Sequence, residues 1–111
     1  MMPSAYKILG QSAPASTADV AMITVAASRS QVISTIVIAN STATAATCRI
    51  FARIAGAAAS AANAILYDVS IAANSSTTIT AGITLAATDV LTVRSGTANA
   101  LTFTAFGSEI S

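Results

Sequence analysis

Side chains that can take part in catalysis are few in this 111-residue chain, which has no histidine, one cysteine and four carboxylates. The carboxylates are Asp19, Asp68, Asp89 and Glu109, each far from the next in sequence. Acid–base catalysis by carboxylates uses two of them in different environments at one site, and this spacing does not predict such a pair. Aspartate is common in turns, where it bonds to nearby backbone. We therefore expect turn-capping or solvated roles for these groups.

Cys48 is the one thiol of the chain. A nucleophilic cysteine needs a base beside it, and without histidine no Cys–His pair can form within the chain. Without a second cysteine there is also no intramolecular disulfide. Cys48 lies in a predicted strand near Ile50, so we predict that it is a small buried apolar side chain.

Sequence motifs for metals and phosphates are missing as well. The sequence contains no calcium loop of spaced aspartates, no zinc cluster of cysteines and histidines, and no glycine-rich phosphate loop. The chain is therefore predicted to have no catalytic residue, no cofactor and no metal site. It is predicted not to be an enzyme.

The pattern Asn-x-Ser/Thr, an acceptor for N-glycosylation, occurs at Asn40 and Asn74. Both asparagines fall in predicted turns between strands. Turn formation accounts for them without attached sugar.

Charged residues make up 8% of the chain, and its formal net charge is +1. Nucleic-acid binding needs clustered basic residues, whereas the basic residues here are scattered. No apolar run reaches the 18 residues or so that a membrane span needs, and the first residues lack the apolar region of a secretory signal. We expect a protein that is soluble when made, with neither a nucleic-acid nor a membrane partner.

Apolar residues alternate with serine and threonine at the two-residue period of β-strands, and turn residues recur every eight to thirteen positions. This pattern predicts about eight strands and no convincing helix. The predicted strands are 5–9, 20–26, 31–39, 47–54, 65–71, 77–83, 90–95 and 101–106. The predicted fold is all-β, a single antiparallel β-sandwich of jelly-roll or immunoglobulin-like type.

Two segments depart from the strand pattern. Residues 55–64 are rich in alanine, but Gly56 and Asn63 interrupt them, so we predict a long loop with at most one helical turn. Residues 10–18 are small, polar and without periodicity. We expect residues 1–18 to form an extended N-terminal arm or edge segment, and residues 19–111 to form the sandwich domain.

Alternation assigns the strand 47–54 two faces. The inward residues would be Cys48, Ile50, Ala52 and Ile54. The outward residues would be Arg49, Phe51 and Arg53. Arginine and aromatic residues are enriched at protein interfaces, and they can also stack on bases or sugars. Because the surface has little charge, we favour a protein partner and take the outward three as candidate interface residues.

The same rule applied to the strand 65–71 points Ile65, Tyr67, Val69 and Ile71 inward. It leaves Leu66, Asp68 and Ser70 outside. The strand 31–38 is apolar on both faces, which predicts a central strand of a sheet or one covered by a neighbouring subunit. An isolated monomer would expose much apolar surface, so we expect a homo-oligomer.

The chain resembles a family of small bacteriophage virion proteins. The residues that carry the resemblance lie at 6–15, 32–40, 45–50, 83–93 and 106–110, in that order, with the ending Gly-Ser-Glu-Ile at 107–110. The resemblance implies a β-sandwich that acts as a capsid cement or decoration subunit and names no catalytic residues. It implies partners among the virion proteins, the major capsid protein first, and a location in virions assembled in the host cytoplasm.

Two alternatives stay open at the level of sequence. One is a small tail or baseplate subunit. The other is a carbohydrate- or receptor-binding module that would use Arg49, Phe51 and Arg53. The second is less favoured, because glycan sites usually offer several exposed aromatics and this chain has five aromatic residues and no tryptophan.

Overall fold

The computed structural model describes residues 4–110, which form nine strands and two 3₁₀ turns. The strands are β1 (Ser4–Ser12), β2 (Val20–Thr24), β3 (Ser30–Asn40), β4 (Ala46–Arg53), β5 (Ala64–Ile71), β6 (Ser76–Ile79), β7 (Ile83–Leu85), β8 (Val90–Ser95) and β9 (Leu101–Ile110). The 3₁₀ turns are Ile54–Gly56 and Ala61–Asn63. The all-β prediction is confirmed, as is the loop with short helical turns between β4 and β5.

The extra strand arises because the predicted strand 77–83 is interrupted. β6 ends at Ile79 and β7 begins at Ile83, and between them Gly82 has a φ of +59°. This left-handed conformation is one that glycine adopts without steric cost. Both short strands pair with β3, so together they act as one broken strand.

The strands form two antiparallel sheets that pack face to face. Sheet A has the order β1-β9-β3-β6, with β7 also paired to β3, and sheet B has the order β2-β8-β4-β5. Strands in the first half of the chain pair with strands in the second half: β1 with β9, β2 with β8, β3 with β6 and β7, and β4 with β5.

The chain is therefore one long antiparallel hairpin whose tip is residues 54–63. The hairpin is rolled up, because β9 also pairs with β3 and β8 also pairs with β4. With β6 and β7 counted as one strand, this is the eight-stranded, two-sheet arrangement of a jelly roll. Of the two sandwich types that the sequence left open, the strand order selects this one.

The core lies between the sheets and is made of the inward residues of both. The largest fully buried side chains include Phe103, Ile33, Ile36, Ile50 and Leu91. β3 lies between β9 and the β6–β7 pair, which confirms the prediction that this strand is central. Alternate residues of β3 are buried in the core, and the residues between them are half-buried or exposed.

Residues 4–12 of the N-terminal segment are hydrogen-bonded to the sandwich as a strand, and Pro14 adds one further bond. β1 pairs with β9 from Ser4 to Ser12 and forms the edge of sheet A. Leu9 packs against the core, and the carbonyl of buried Pro14 accepts a hydrogen bond from Asn99 N at 3.0 Å. A separate arm function for residues 1–18 stays a prediction.

A β-bulge in β5 reverses part of the predicted face assignment. Val69 lies opposite Cys48 and Leu66 opposite Ile50, so β5 has one residue more than β4 in this interval. Asp68 takes up the extra length with a φ of +54°. Such bulges re-aim side chains. Tyr67 is therefore exposed while Leu66 packs against the core, so the predicted directions of these two residues were wrong.

Ile54 was also predicted to face the core, and it is exposed. The reason is that β4 ends at Arg53 and the chain leaves the sheet in a 3₁₀ turn. Alternation applies only while the backbone stays extended.

Candidate interaction surfaces

Arg49, Phe51 and Arg53 lie on the outer face of sheet B. Their cross-strand partners on β8 also point outward, whereas the intervening Ile50 pairs with Val93 in the core. The prediction that these three residues share the face opposite the core is confirmed. The elements that position them are β4 and the tip of the rolled hairpin.

Phe51 was predicted to be exposed, and this was wrong: its exposed fraction is 3%. Residues 54–63 fold back over this face, with one 3₁₀ turn contacting β8 and the other contacting β4. The Phe51 ring also meets the Tyr67 ring edge-on, with 6.5 Å between centroids and an angle of 84°. Thr92 and Val90 are buried on the same face. Phe51 thus belongs to a small second core beneath the loop.

Arg53 holds that loop in place. Its Nε donates to the carbonyl of Ala57, its Nη2 to the carbonyl of Gly56 at 2.9 Å, and its Nη1 to Thr92 Oγ1 at 3.1 Å. A guanidinium has five N–H donors, and these contacts use three of them. Arg53 therefore has a structural role within the chain.

Asp89 also fixes the start of this loop. Its Oδ1 accepts a hydrogen bond from Ala55 N, and its Oδ2 accepts one from Ala86 N, both at 2.9 Å. The turn-capping role expected for the carboxylates is thus seen at Asp89.

Arg49 is bound by Asp68 and Tyr67. Its Nε and Nη2 donate to the two carboxylate oxygens of Asp68 at 2.7 and 3.1 Å, and its guanidinium carbon lies 4.0 Å from the Tyr67 ring centroid. The hydrogen bond from Arg49 lowers the pKa of Asp68. On β8, Arg94 lies directly opposite Arg49, and its Nη1 is 3.9 Å from Asp19 Oδ1. Each of these two arginines therefore faces a carboxylate. Both arginines and Asp68 border an open polar cavity of about 310 Å³.

Cys48 is buried on the inner face of β4, as the sequence predicted. Burial is the main cause that raises the pKa of its thiol to about 11, and the nearby Asp68 carboxylate adds to the shift. The thiol is therefore protonated at neutral pH, whereas the thiolate is the nucleophilic form.

The outer face of sheet A differs from that of sheet B in carrying no charged side chain. All nine charged residues lie in the described part of the chain, and register and alternation place each of them elsewhere. Lys7 and Glu109 are on the inner face of sheet A. Arg49, Arg53, Asp68 and Arg94 are on sheet B. Asp19, Arg29 and Asp89 are in connections between strands.

Three large apolar side chains are exposed on this uncharged face. Tyr6 is 87% exposed, Ile8 is 54% exposed and Phe106 is 37% exposed. Phe106 lies opposite Ile8 on one side and opposite Thr35 on the other. A shallow cavity beside it is lined by Tyr6, Lys7, Ile8, Ser34, Phe106 and Gly107, and the Lys7 ammonium itself is bound to Glu109. The rest of the face is formed mostly by small residues, namely Val32, Thr35, Val37, Ala39, Ser76, Thr78, Thr84, Thr102, Thr104 and Ser108, together with Gln11 and Ile110.

This surface was not predicted from the sequence. The alternation of Tyr6 with Ile8 was visible in the sequence, but the surface forms only because the two ends of the chain pair as β1 and β9. A period-2 pattern gives the face of each strand and not its neighbour.

The Glu109 carboxylate accepts hydrogen bonds from three side chains at one end of the sandwich, on the inner side of sheet A. Its Oε1 accepts from Lys7 Nζ at 3.1 Å and from Arg29 Nη1 at 3.0 Å, and its Oε2 accepts from Gln31 Nε2 at 3.1 Å. The hydrogen bonds from Lys7 and Gln31 lower the pKa of Glu109. The carboxylate thus ties β1, β3 and β9 together.

Replacing Glu109 by glutamine is expected to lower the stability at pH 7 and to lower it less at pH 3. The pKa of Glu109 in the folded protein is below its ordinary value of 4.5. Its stabilisation is therefore present above that value and is lost as the pH falls through the lowered pKa. Urea unfolding of both proteins at the two pH values measures the effect. An equal stability difference at pH 7 and pH 3 would contradict it.

A membrane-spanning helix and a cluster of metal ligands are both absent from the described residues. Between residues 4 and 110, no helix has the length and apolar character needed to cross a membrane. In the same range, no three metal-ligating side chains of the His, Cys, Asp or Glu types come together.

Comparisons with known proteins find a similar fold in a solved structure. No protein-family model matches the chain, and no curated protein matches it. A chain in the structure of infectious bursal disease virus, Gx strain, is similar in structure, with a TM-score of 0.50 and 14% sequence identity. The similarity covers 99% of this chain and 31% of that chain. The protein described here therefore has the fold of about one third of a chain from a virus structure.

Proposed function

We propose that this protein is a non-enzymatic structural protein of a virus particle, a bacteriophage capsid cement or decoration subunit that stabilises the shell through protein–protein contacts. The observation that carries the proposal is the uncharged outer face of sheet A with its exposed Tyr6, Ile8 and Phe106. The partners would be the major capsid protein and other virion proteins.

The lack of charge on this face lowers the cost of covering it with another protein. A charge that is buried without a partner is strongly destabilising, so a face without charges can be covered at low cost. Threonine, valine and alanine also lose little side-chain entropy when they are ordered. Exposed apolar patches with aromatic residues are typical of protein interfaces. This face is therefore suited to a permanent protein contact.

The fold is compatible with this role but does not assign it. Jelly rolls build viral capsid domains and also lectins and cupins, and one fold serves many functions. Two observations favour the virion reading: the structural neighbour is a chain in a virus structure, and the sequence resembles small phage virion proteins.

The contact surface proposed here differs from the one suggested by alternation alone. Phe51 is buried and Arg53 binds its own loop, so neither is available to a partner. Arg49 is already paired with Asp68. We therefore place the main protein–protein contact on sheet A, where the partner is another virion protein or a second copy of this chain, and keep Arg49 as a secondary candidate.

The copy number of the protein in purified particles tests the proposal. Quantitative mass spectrometry against the major capsid protein is expected to give hundreds of copies in a simple ratio to the shell, because a decoration subunit follows the shell symmetry. A copy number near a dozen would contradict the cement role and favour the tail or baseplate alternative. Absence from the particle would contradict the virion role and favour a receptor- or carbohydrate-binding module.

A further inference from the structure

We propose that two copies of this chain associate through the outer faces of their A sheets, with Tyr6, Ile8 and Phe106 in the contact. This inference shares with the proposed function the premise that the face binds protein. It does not depend on a location in a virus particle.

Charge complementarity is the first argument for a second copy as the occupant. Two copies packed through this face bring no charged side chains together, because the face carries none. The outer face of sheet B gives the opposite result. It presents Arg49, Arg53, Arg94 and Asp68, so two copies packed there would bring an excess of positive charge together. The uncharged face is thus the one of the two that is complementary to itself.

The area of the face is the second argument. Four strands spaced about 4.8 Å apart, with about ten residues rising about 3.3 Å each, cover a flat area of roughly 600 Å². Side chains standing on the pleat add accessible area to this figure. Two such faces in contact would bury roughly 1,200 Å² or more in total, which reaches the lower end of the ~1,200–2,000 Å² of stable protein interfaces.

Packing of two such faces also has a known geometry. Sheets that pack face to face interdigitate their side chains at about 10 Å separation, with strand directions within about 30° of each other. The small residues of β3 and β9 allow this approach. Phe106 of each copy can fill the shallow cavity beside Ile8 and Ser34 of the other copy. The apolar side chains that are exposed in the single chain are then covered.

Sedimentation velocity of the purified protein tests the inference. At concentrations on the order of 100 μM the protein is expected to be a dimer, since standard interfaces give dissociation constants of about 1 μM or lower. Ile8→Glu is expected to raise the dissociation constant at least about tenfold, because each copy would bury an unpaired carboxylate. Thr35→Glu, on β3 and two strands in from the edge, is expected to do the same.

Ser70→Glu is the matched control. It introduces the same charge at an exposed position on the outer face of sheet B, opposite Thr47, and is expected to leave the dimer intact. Circular dichroism and thermal melting check that each variant is folded. Ile8 is half exposed, so its replacement is not expected to unfold the chain.

Each other outcome overturns the inference. A wild-type protein that stays monomeric at this concentration would leave the face to a different partner, such as the major capsid protein. A dimer weakened by Ile8→Glu but not by Thr35→Glu would indicate pairing of β1 edges instead of faces. A dimer weakened by Ser70→Glu would place the contact on sheet B. None of these results bears on the copy number in particles, so the two proposals fail separately.

Discussion

Phe51→Ser is expected to reduce the free energy of unfolding by about 3–5 kcal/mol, in the range of large-to-small changes at buried aromatic positions. Phe51 is 3% exposed and packs beneath the 54–63 loop and against the edge of Tyr67. Serine would leave a cavity under that loop and bury a hydroxyl in it. Loss of this contact should also loosen the loop that Arg53 binds.

Ile54→Ser is the matched control for Phe51→Ser. Ile54 is three residues further along and large and apolar, but 77% exposed. Its replacement is expected to change the stability by no more than about 0.5 kcal/mol. Chemical denaturation of both variants measures the difference. If Phe51→Ser is no more destabilising than Ile54→Ser, then Phe51 lies on an open surface, as alternation alone would suggest.

Asn40→Ala is expected to cost about 2–4 kcal/mol of stability. Asn40 is 3% exposed, and its Nδ2 donates to the carbonyls of Thr44 and Ile71 at 3.0 and 3.1 Å. Its Oδ1 accepts from Thr42 N and Thr42 Oγ1 at 2.9 and 2.7 Å. Alanine would remove all four bonds, and each buried group left unpaired costs about 1–3 kcal/mol.

Asn40→Asp separates the donor half of this network from the acceptor half. The aspartate keeps both acceptors for Thr42 but points an oxygen at two carbonyls, which disfavours the charged form and raises its pKa in the folded state. Relative to wild type, this variant is expected to be least stable at neutral pH. It should recover as the pH falls through the raised pKa, where the protonated carboxyl can donate one bond. A stability deficit independent of pH would contradict this account.

Asn74→Ala is the control for Asn40→Ala, because it removes an asparagine from a turn without removing a buried network. Asn74 begins the second Asn-x-Ser/Thr pattern and is exposed, with a φ of +53°. Its side chain makes no hydrogen bond to the described residues, so its replacement costs only the strain of alanine in a left-handed conformation, about 1 kcal/mol. A larger loss than that of Asn40→Ala would mean that turn conformation, not the buried network, dominates at these sites.

Strands and their inward faces could largely be predicted from the sequence. Alternation located each strand, but it ended β1 three residues and β9 four residues too early and missed the interruption at Gly82. It correctly pointed Cys48 and Ile50 inward. It failed where the backbone is irregular. The bulge at Asp68 shifts the faces of β5, and local sequence gives no period that would reveal one extra residue.

Burial on the outer faces could not be predicted, because it depends on what covers each face. Phe51 was placed on the correct face, yet a loop of ten residues rich in alanine covers it. Tyr6 and Phe106 lie a hundred residues apart, and they share a surface only because the ends of the chain pair as neighbouring strands. Partner choice between distant strands is a property of the rolled hairpin and not of either strand.

The rolled hairpin also determines how slowly the chain can fold. Sequence separation between paired residues is smallest beside the tip, where Phe51 meets Ala64, and largest at the ends, where Ser4 meets Ile110. Loop-closure entropy must be overcome before such distant contacts form, and sandwiches dominated by them fold in milliseconds to seconds. Refolding is expected to begin at β4 and β5 and to end when β1 docks on β9. Until that last step β9 has an unpaired edge. It can therefore pair wrongly with a strand of another chain until β1 docks on it.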